Sequence, residues 1–208
     1  QMAFAKRVAD IGLAYGRQHK LAETTQTLDD QPEVLKLYSN EKRPFSASNW
    51  HSDVSWSDRP PLGSLLVSRK APPVGGDTMF ADSYAHWDAL NPVLKEFLEG
   101  KRALHGRGGR DEVAHPVCRT HPVTGRKALY VNRLMTIWIE DIDRAESDEM
   151  LDFLFDHMER PEFVYEHVWT VGDLMMWDNR CSTHSRKGRC VLASPCCAGE
   201  VKVSGCAE

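Results

Sequence analysis

The sequence predicts a mainly β fold with flanking helices, arranged as a sandwich or jelly roll. Short strand-like runs alternate with turn signals through the middle of the chain, and two amphipathic helical stretches interrupt them. No repeated strand–helix–strand rhythm argues for a parallel sheet. In such a barrel, residues far apart in sequence converge on one inward-facing cavity.

The elements follow in order. Residues 2–14 carry helical apolar spacing (Met2, Phe4, Ala5, Val8, Ala9), and the polar stretch 16–31 reads as loop. Core sequence starts near Val34. A strand is expected over 64–68, then the turn Pro72-Pro73-Val74-Gly75-Gly76-Asp77, then a strand over 78–81, the pattern of a hairpin-rich antiparallel fold. Helices are expected over 83–99 and 147–159, with Ser83 and Ser147 as N-caps. Residues 163–170 alternate as a strand, Val171-Gly172-Asp173 turns the chain, and Leu174-Met175-Met176-Trp177 is the next strand.

Composition bounds the function. With 208 residues and 41% hydrophobic content, the chain is expected to form a single domain over 1–208. A formal net charge of −4 gives no attraction toward nucleic acid or an anionic membrane, so a small molecule is the expected partner. No apolar run approaches the roughly 20 residues of a membrane span, and the start lacks a secretory apolar region, which reads as a cytoplasmic protein. The first residue is Gln1 rather than Met, so the natural N-terminal part is expected to be missing. Cys118 stands alone, whereas Cys181, Cys190, Cys196, Cys197 and Cys206 crowd the end without the C-x2-C spacing of a zinc site. Reduced, unpaired thiols are the expectation.

The chemistry-bearing motif is His51-Ser52-Asp53. In an extended segment, residues two apart project from one face, and a third ligand from a distant strand would complete the two-His, one-carboxylate facial set that holds non-haem Fe(II). His86-Trp87-Asp88 and His157-Met158-Glu159 have the same spacing but fall in helical patterns, where positions two apart lie roughly 200° around the axis and cannot share a metal. His184, after Trp177-Asp178-Asn179-Arg180, is the natural third ligand. His86, His105, His157 and His167 read as packing or solvated residues, and Trp50 and Trp177 as core aromatics beside the site.

A resemblance rests on four segments in order. These are Asn49-Trp50-His51-Ser52-Asp53-Val54-Ser55-Trp56, Pro60-Pro61-Leu62-Gly63-Ser64-Leu65-Leu66, Ala71-Pro72-Pro73-Val74-Gly75-Gly76-Asp77-Thr78-Met79-Phe80-Ala81-Asp82, and Trp177-Asp178-Asn179-Arg180 through His184. Together with His115-Pro116 and His121-Pro122, they resemble the taurine and chlorophenoxyacetate dioxygenase (TauD/TfdA) family over about 34–184. The resemblance implies a double-stranded β-helix of the cupin-like jelly-roll type. It implies a dioxygenase using Fe(II), O2 and 2-oxoglutarate to hydroxylate a small, anionic organic acid of the sulfonate or aryloxyalkanoate type, releasing succinate and CO2. Metal ligands would be His51, Asp53 and His184, with a cosubstrate contact at Thr78 and substrate contacts at Asn49, Val54 and Trp56. Members often self-associate, so a homo-oligomer is a further expectation.

The departure is the segment 185–199. The family pattern places an arginine about ten residues beyond the distal His, where a guanidinium forks the far carboxylate of 2-oxoglutarate. Here Val191-Leu192-Ala193-Ser194-Pro195-Cys196-Cys197-Ala198-Gly199 contains none. Arg189 is the substitute candidate for cosubstrate binding, while Arg186 and Arg189 both fall early in register and read as exposed loop residues. The alternative is an impaired family member that binds metal but not 2-oxoglutarate productively.

Overall fold

A computed structural model describes residues 17–18, 27–28, 31–39, 49–106, 112–187 and 196–204. The expected helix over 2–14 and Arg189 lie outside these residues. The strands are β1 (Arg17–Gln18), β2 (Thr27–Leu28), β3 (Gln31–Ser39), β4 (Gly63–Lys70), β5 (Thr78–Asp82), β6 (Arg102–His105), β7 (Val113–Pro116), β8 (Cys118–Thr120), β9 (Lys127–Leu129), β10 (Thr136–Ile139), β11 (Val164–His167), β12 (Leu174–Asp178), β13 (Ser182–Arg186) and β14 (Cys196–Ser204). Three helices, α1 (Ser83–Ala89), α2 (Pro92–Leu98) and α3 (Arg144–Met158), and a single 3-10 turn at Pro161–Phe163 complete the described elements.

Two antiparallel sheets form the jelly roll. The larger runs β12-β4-β14-β3-β2, with β1 also on β14, and the smaller runs β11-β5-β13. The chain crosses between them repeatedly: β4 lies in the larger sheet and β5 in the smaller, and β11, β12, β13 and β14 alternate in the same way. The turn over 72–77 therefore passes from one sheet to the other instead of closing a hairpin. Local turn chemistry signals a reversal, but the strand that each side pairs with is a non-local matter. Among the described residues the two sheets do not close into a barrel.

Between β5 and β11 the chain inserts its helices and two small sheets, β10-β6-β7 and β8-β9. Their common core holds Trp87, Leu98, Val117, Leu129, Ile139 and Leu154, all buried. The expected helix over 83–99 is two helices. Asn91 caps the second through a 2.9 Å bond from the Leu94 amide to its side chain, and Pro92 occupies the first turn, where its missing N–H costs nothing. The cap of α1 is Asp82 rather than Ser83, accepting from the Tyr84 amide at 2.8 Å. The α3 helix begins at Arg144, so Ser147 lies inside it, buried, and its hydroxyl accepts from the Ile139 amide at 2.8 Å. The stretch 16–31, expected as loop, contributes the short strands β1 and β2. Edge pairing uses backbone groups and tolerates polar side chains.

The strand over 163–170 is shorter than expected, because Pro161 and Phe163 bound a 3-10 turn before β11. Strand β14 starts at Cys196 and pairs with β3 and β4, so the segment that departs from the family pattern still enters the sheet. None of the described helices is long and apolar enough to cross a membrane.

Candidate metal centre

The residues expected to form a site come from two distant segments and meet in one place. His51 and Asp53 lie just before β4, His184 lies on β13, and all three side chains are buried. Asp53 Oδ1 is 3.9 Å from Nε2 of His51 and 3.9 Å from Nε2 of His184. One ligand atom from each residue falls within 4.8 Å of the others. Two imidazoles and one carboxylate on one side of a point are the donor set of a divalent first-row metal with open positions opposite, so these residues fit the iron that the sequence reading calls for.

The backbone holds this geometry. His51 and His184 form an antiparallel bridge. Ser52 Oγ donates to the Ser182 carbonyl at 2.7 Å, tying the motif to the start of β13. His51 Nδ1 lies 2.9 Å from the Asn49 carbonyl, an acceptor only, so Nδ1 carries the proton and Nε2 presents its lone pair. Asn49 thus reaches the site through its main chain, with its side chain exposed.

Immediately after Asp53, Val54 has φ 54°, a left-handed conformation disfavoured for a β-branched residue. The Ser57 amide donates to its carbonyl at 2.9 Å, closing a turn directly after the motif. Backbone strain held beside ligating groups accords with a functional turn. Trp56 is half-buried. Nearby, Ser55 Oγ accepts from Asn132 Nδ2 at 3.1 Å and meets His105 Nδ1 at 3.0 Å. Burial, aided by His115, pushes the fully buried His105 down to about 3, so it packs as a neutral ring.

Aromatic rings close the other side. The His184 ring lies 4.9 Å from Trp177 and 5.9 Å from Phe80, its cross-strand partner on β5. Two residues along each strand, Arg186 stands opposite Thr78. Arg186 is therefore a half-buried strand residue rather than part of an exposed loop. Thr78 Oγ1 accepts from Trp169 Nε1 at 2.9 Å.

A second group, His121, Asp178 and Cys181, also brings donor atoms within 4.8 Å, but its hydrogen bonds describe a clamp. His121 Nδ1 receives the amides of Val123 and Thr124, each at 3.2 Å, which leaves the proton on Nε2 to be donated to Asp178 at 3.1 Å. Arg180 forks the same carboxylate through Nε at 2.9 Å and Nη2 at 2.5 Å. Burial raises the Asp178 carboxyl, but the Arg180 and His121 contacts outweigh it and hold the group below the usual carboxylate range. Burial and the Asp178 charge push the Cys181 thiol up to about 11, leaving it protonated. This clamp fixes the turn that delivers β13 and His184.

The sequence reading missed Ser52, Ser64 and Asn179. All three are buried polar residues with partners at the centre, and only their position in otherwise apolar or motif-bearing segments signalled them. His86 and His157, excluded as ligands by helical phase, are buried packing residues in α1 and α3.

The comparisons with known proteins agree with this geometry. The family described as "Taurine catabolism dioxygenase TauD, TfdA family" matches residues 1–190. An alpha-ketoglutarate-dependent 2,4-dichlorophenoxyacetate dioxygenase of Cupriavidus pinatubonensis is 38% identical over 157 residues, covering 67% of this chain and 54% of that protein. An alpha-ketoglutarate-dependent sulfonate dioxygenase of Saccharomyces cerevisiae is 30% identical over 210 residues, covering 88% of this chain and 51% of that protein. The chain thus spans about half the length of the curated relatives it matches. Among solved structures, a taurine dioxygenase from Burkholderia xenovorans superposes with a TM-score of 0.87 at 27% identity, covering 97% of this chain and 72% of that one.

Proposed function

Since the chain belongs to the TauD, TfdA family, we propose that it carries the catalytic centre of an Fe(II)- and 2-oxoglutarate-dependent dioxygenase hydroxylating a small anionic organic acid. The single observation that carries the reading is the convergence of His51, Asp53 and His184 in one buried cluster, although His184 lies 133 positions beyond His51 in the chain.

His51, Asp53 and His184 would hold the metal, His51 through the Nε2 lone pair that the Asn49 carbonyl leaves available. Bound Fe(II), with 2-oxoglutarate and O2, supplies the oxidising power for C–H hydroxylation, with succinate and CO2 as by-products. The protein's part is placement. Trp177 and Phe80 pack their rings against His184 and keep water from that side. Thr78, on the strand beside His184, is the cosubstrate contact. Val54, Trp56 and Asn49, flanking the motif, face the substrate. The described thiols Cys118 and Cys181 are free, which supports a reducing, cytoplasmic setting.

The substrate class is drawn from the relatives, which carry sulfonate and dichlorophenoxyacetate activities in their names. The test is 2-oxoglutarate consumption and succinate release, measured with iron, ascorbate and a panel of alkylsulfonates and aryloxyalkanoates. Stimulated turnover by one class, lost in Asp53→Ala, supports the reading. Iron-loaded protein that consumes no 2-oxoglutarate with any member contradicts it.

That negative result is the outcome expected of the second reading, an impaired member that binds metal without anchoring 2-oxoglutarate. The observation favouring it is the arginine-free stretch 191–199. Loss of a charge-assisted bidentate contact costs on the order of 2–5 kcal/mol.

A further inference from the structure

We infer that Ser64 and Asn179 form a positioning relay that assigns the two oxygens of Asp53 to different tasks, one held by the protein and the other presented to a divalent metal. The inference rests on the metal-binding reading proposed above.

The relay starts from a group without choice. The Trp177 indole nitrogen can only donate, and it donates to Asn179 Oδ1 at 3.0 Å. That bond fixes which end of the Asn179 amide is oxygen. Its Nδ2 end therefore faces Ser64 Oγ, 3.2 Å away, and an amide nitrogen can only donate there. Ser64 oxygen accepts from Asn179, and its one proton goes to Asp53 Oδ2 at 2.6 Å, a length typical of a hydroxyl on an ionised carboxylate. The pairing of β4 with β12 sets Ser64 opposite Trp177, so the sheet register assembles the relay. Trp177, Asn179, Ser64 and Asp53 are all buried, and bulk water competes little for these bonds.

The consequence falls on Oδ1. It is this oxygen that lies 3.9 Å from both imidazole Nε2 atoms. With Oδ2 engaged by Ser64, Oδ1 is the oxygen that Asp53 would offer to a divalent metal. Asn179 Oδ1 also receives the Asp53 amide at 3.4 Å, so the same residue steadies both the main chain and, through Ser64, the carboxylate. Outer partners of this kind orient ligands and tune affinity without touching the metal.

The test is Co(II) titration of the full chain, followed by the visible ligand-field bands, for wild type, Ser64→Ala and Ser64→Thr, with unfolding of each metal-free protein measured alongside. Ser68→Ala, a buried serine farther along β4, is the control. The expected result is a loss of about 10- to 100-fold in Co(II) affinity for Ser64→Ala, with altered band intensities, while Ser64→Thr and Ser68→Ala bind like wild type. A packing role would instead strike the bulkier Thr variant at least as hard as Ala. Equal affinity and spectra in wild type and Ser64→Ala, or equal losses in Ala and Thr, overturn the relay while leaving the metal centre standing. Failure of the wild-type protein to bind Co(II) overturns the metal-binding reading and the relay with it.

Discussion

His51 and His184 exchange main-chain hydrogen bonds: the His51 amide donates to the His184 carbonyl at 3.0 Å, and the His184 amide returns the bond to the His51 carbonyl at 2.8 Å. Their ring centroids stand 4.2 Å apart. The two imidazoles are therefore placed by backbone pairing before any metal draws them together, and the centre depends on whatever holds these two segments in register.

Gly63 is one such support. A Cβ at this position would sit 2.6 Å from the Trp177 carbonyl oxygen, a backbone atom that can move only with β12. Gly63→Ala is expected to cost about 1–3 kcal/mol, seen as a lower urea midpoint, and to weaken Co(II) binding because β12 leads into Asn179 and the turn before His184. A variant as stable as wild type would show that β4 and β12 are looser than their pairing implies.

Stability should fall as pH drops below neutrality. Burial pushes His86 down to about 3, with His157 adding to the effect, and burial likewise lowers His105 to about 3. Both rings are neutral when folded and take up protons near the ordinary value of 6.5 once unfolded. Between those limits the unfolded chain binds more protons, so each histidine removes roughly 1 kcal/mol of stability per pH unit as pH falls through this window. Urea midpoints at pH 7.5 and 5.5 measure the slope, which His86→Phe should reduce. An unchanged slope in that variant would mean that His86 is protonated inside the fold.

Arg186 gives a separable prediction about cosubstrate. It stands opposite Thr78 in the β5–β13 pairing, two residues along from His184 on the same strand. Residues two apart on a strand share a face, which makes Arg186 a candidate to test against the far carboxylate of 2-oxoglutarate. Arg186→Met should weaken 2-oxoglutarate binding at least tenfold and leave 2-oxobutyrate, which lacks that carboxylate, unaffected. Equal effects on both acids would assign Arg186 to structure.

Much of the centre could be read from sequence because its parts are short and directional. His51 and Asp53 share a face by strand periodicity, and helical phase removed His86 and His157. The jelly-roll class followed from short strands without a crossover rhythm. Other features depended on pairing that no local window contains. The turn over 72–77 looks like a hairpin but carries the chain between sheets, because β4 pairs with β12 and β14 instead of β5. Nothing local sets Ser64 apart from Ser68 on the same strand until Trp177 and Asn179 arrive from more than a hundred residues away. The division at Asn91-Pro92 was legible, since proline is favoured in the first turn of a helix, but the apolar spacing across it suggested one helix.

The proposed function requires that His51, Asp53 and His184 hold an iron able to take 2-oxoglutarate. Anaerobic titration of Fe(II)-loaded protein with 2-oxoglutarate, following the weak visible charge-transfer band of the chelate, tests it most directly. The expected result is a saturable band that disappears in His51→Ala. Iron binding without the band at millimolar 2-oxoglutarate, or a band that survives in His51→Ala, would contradict it.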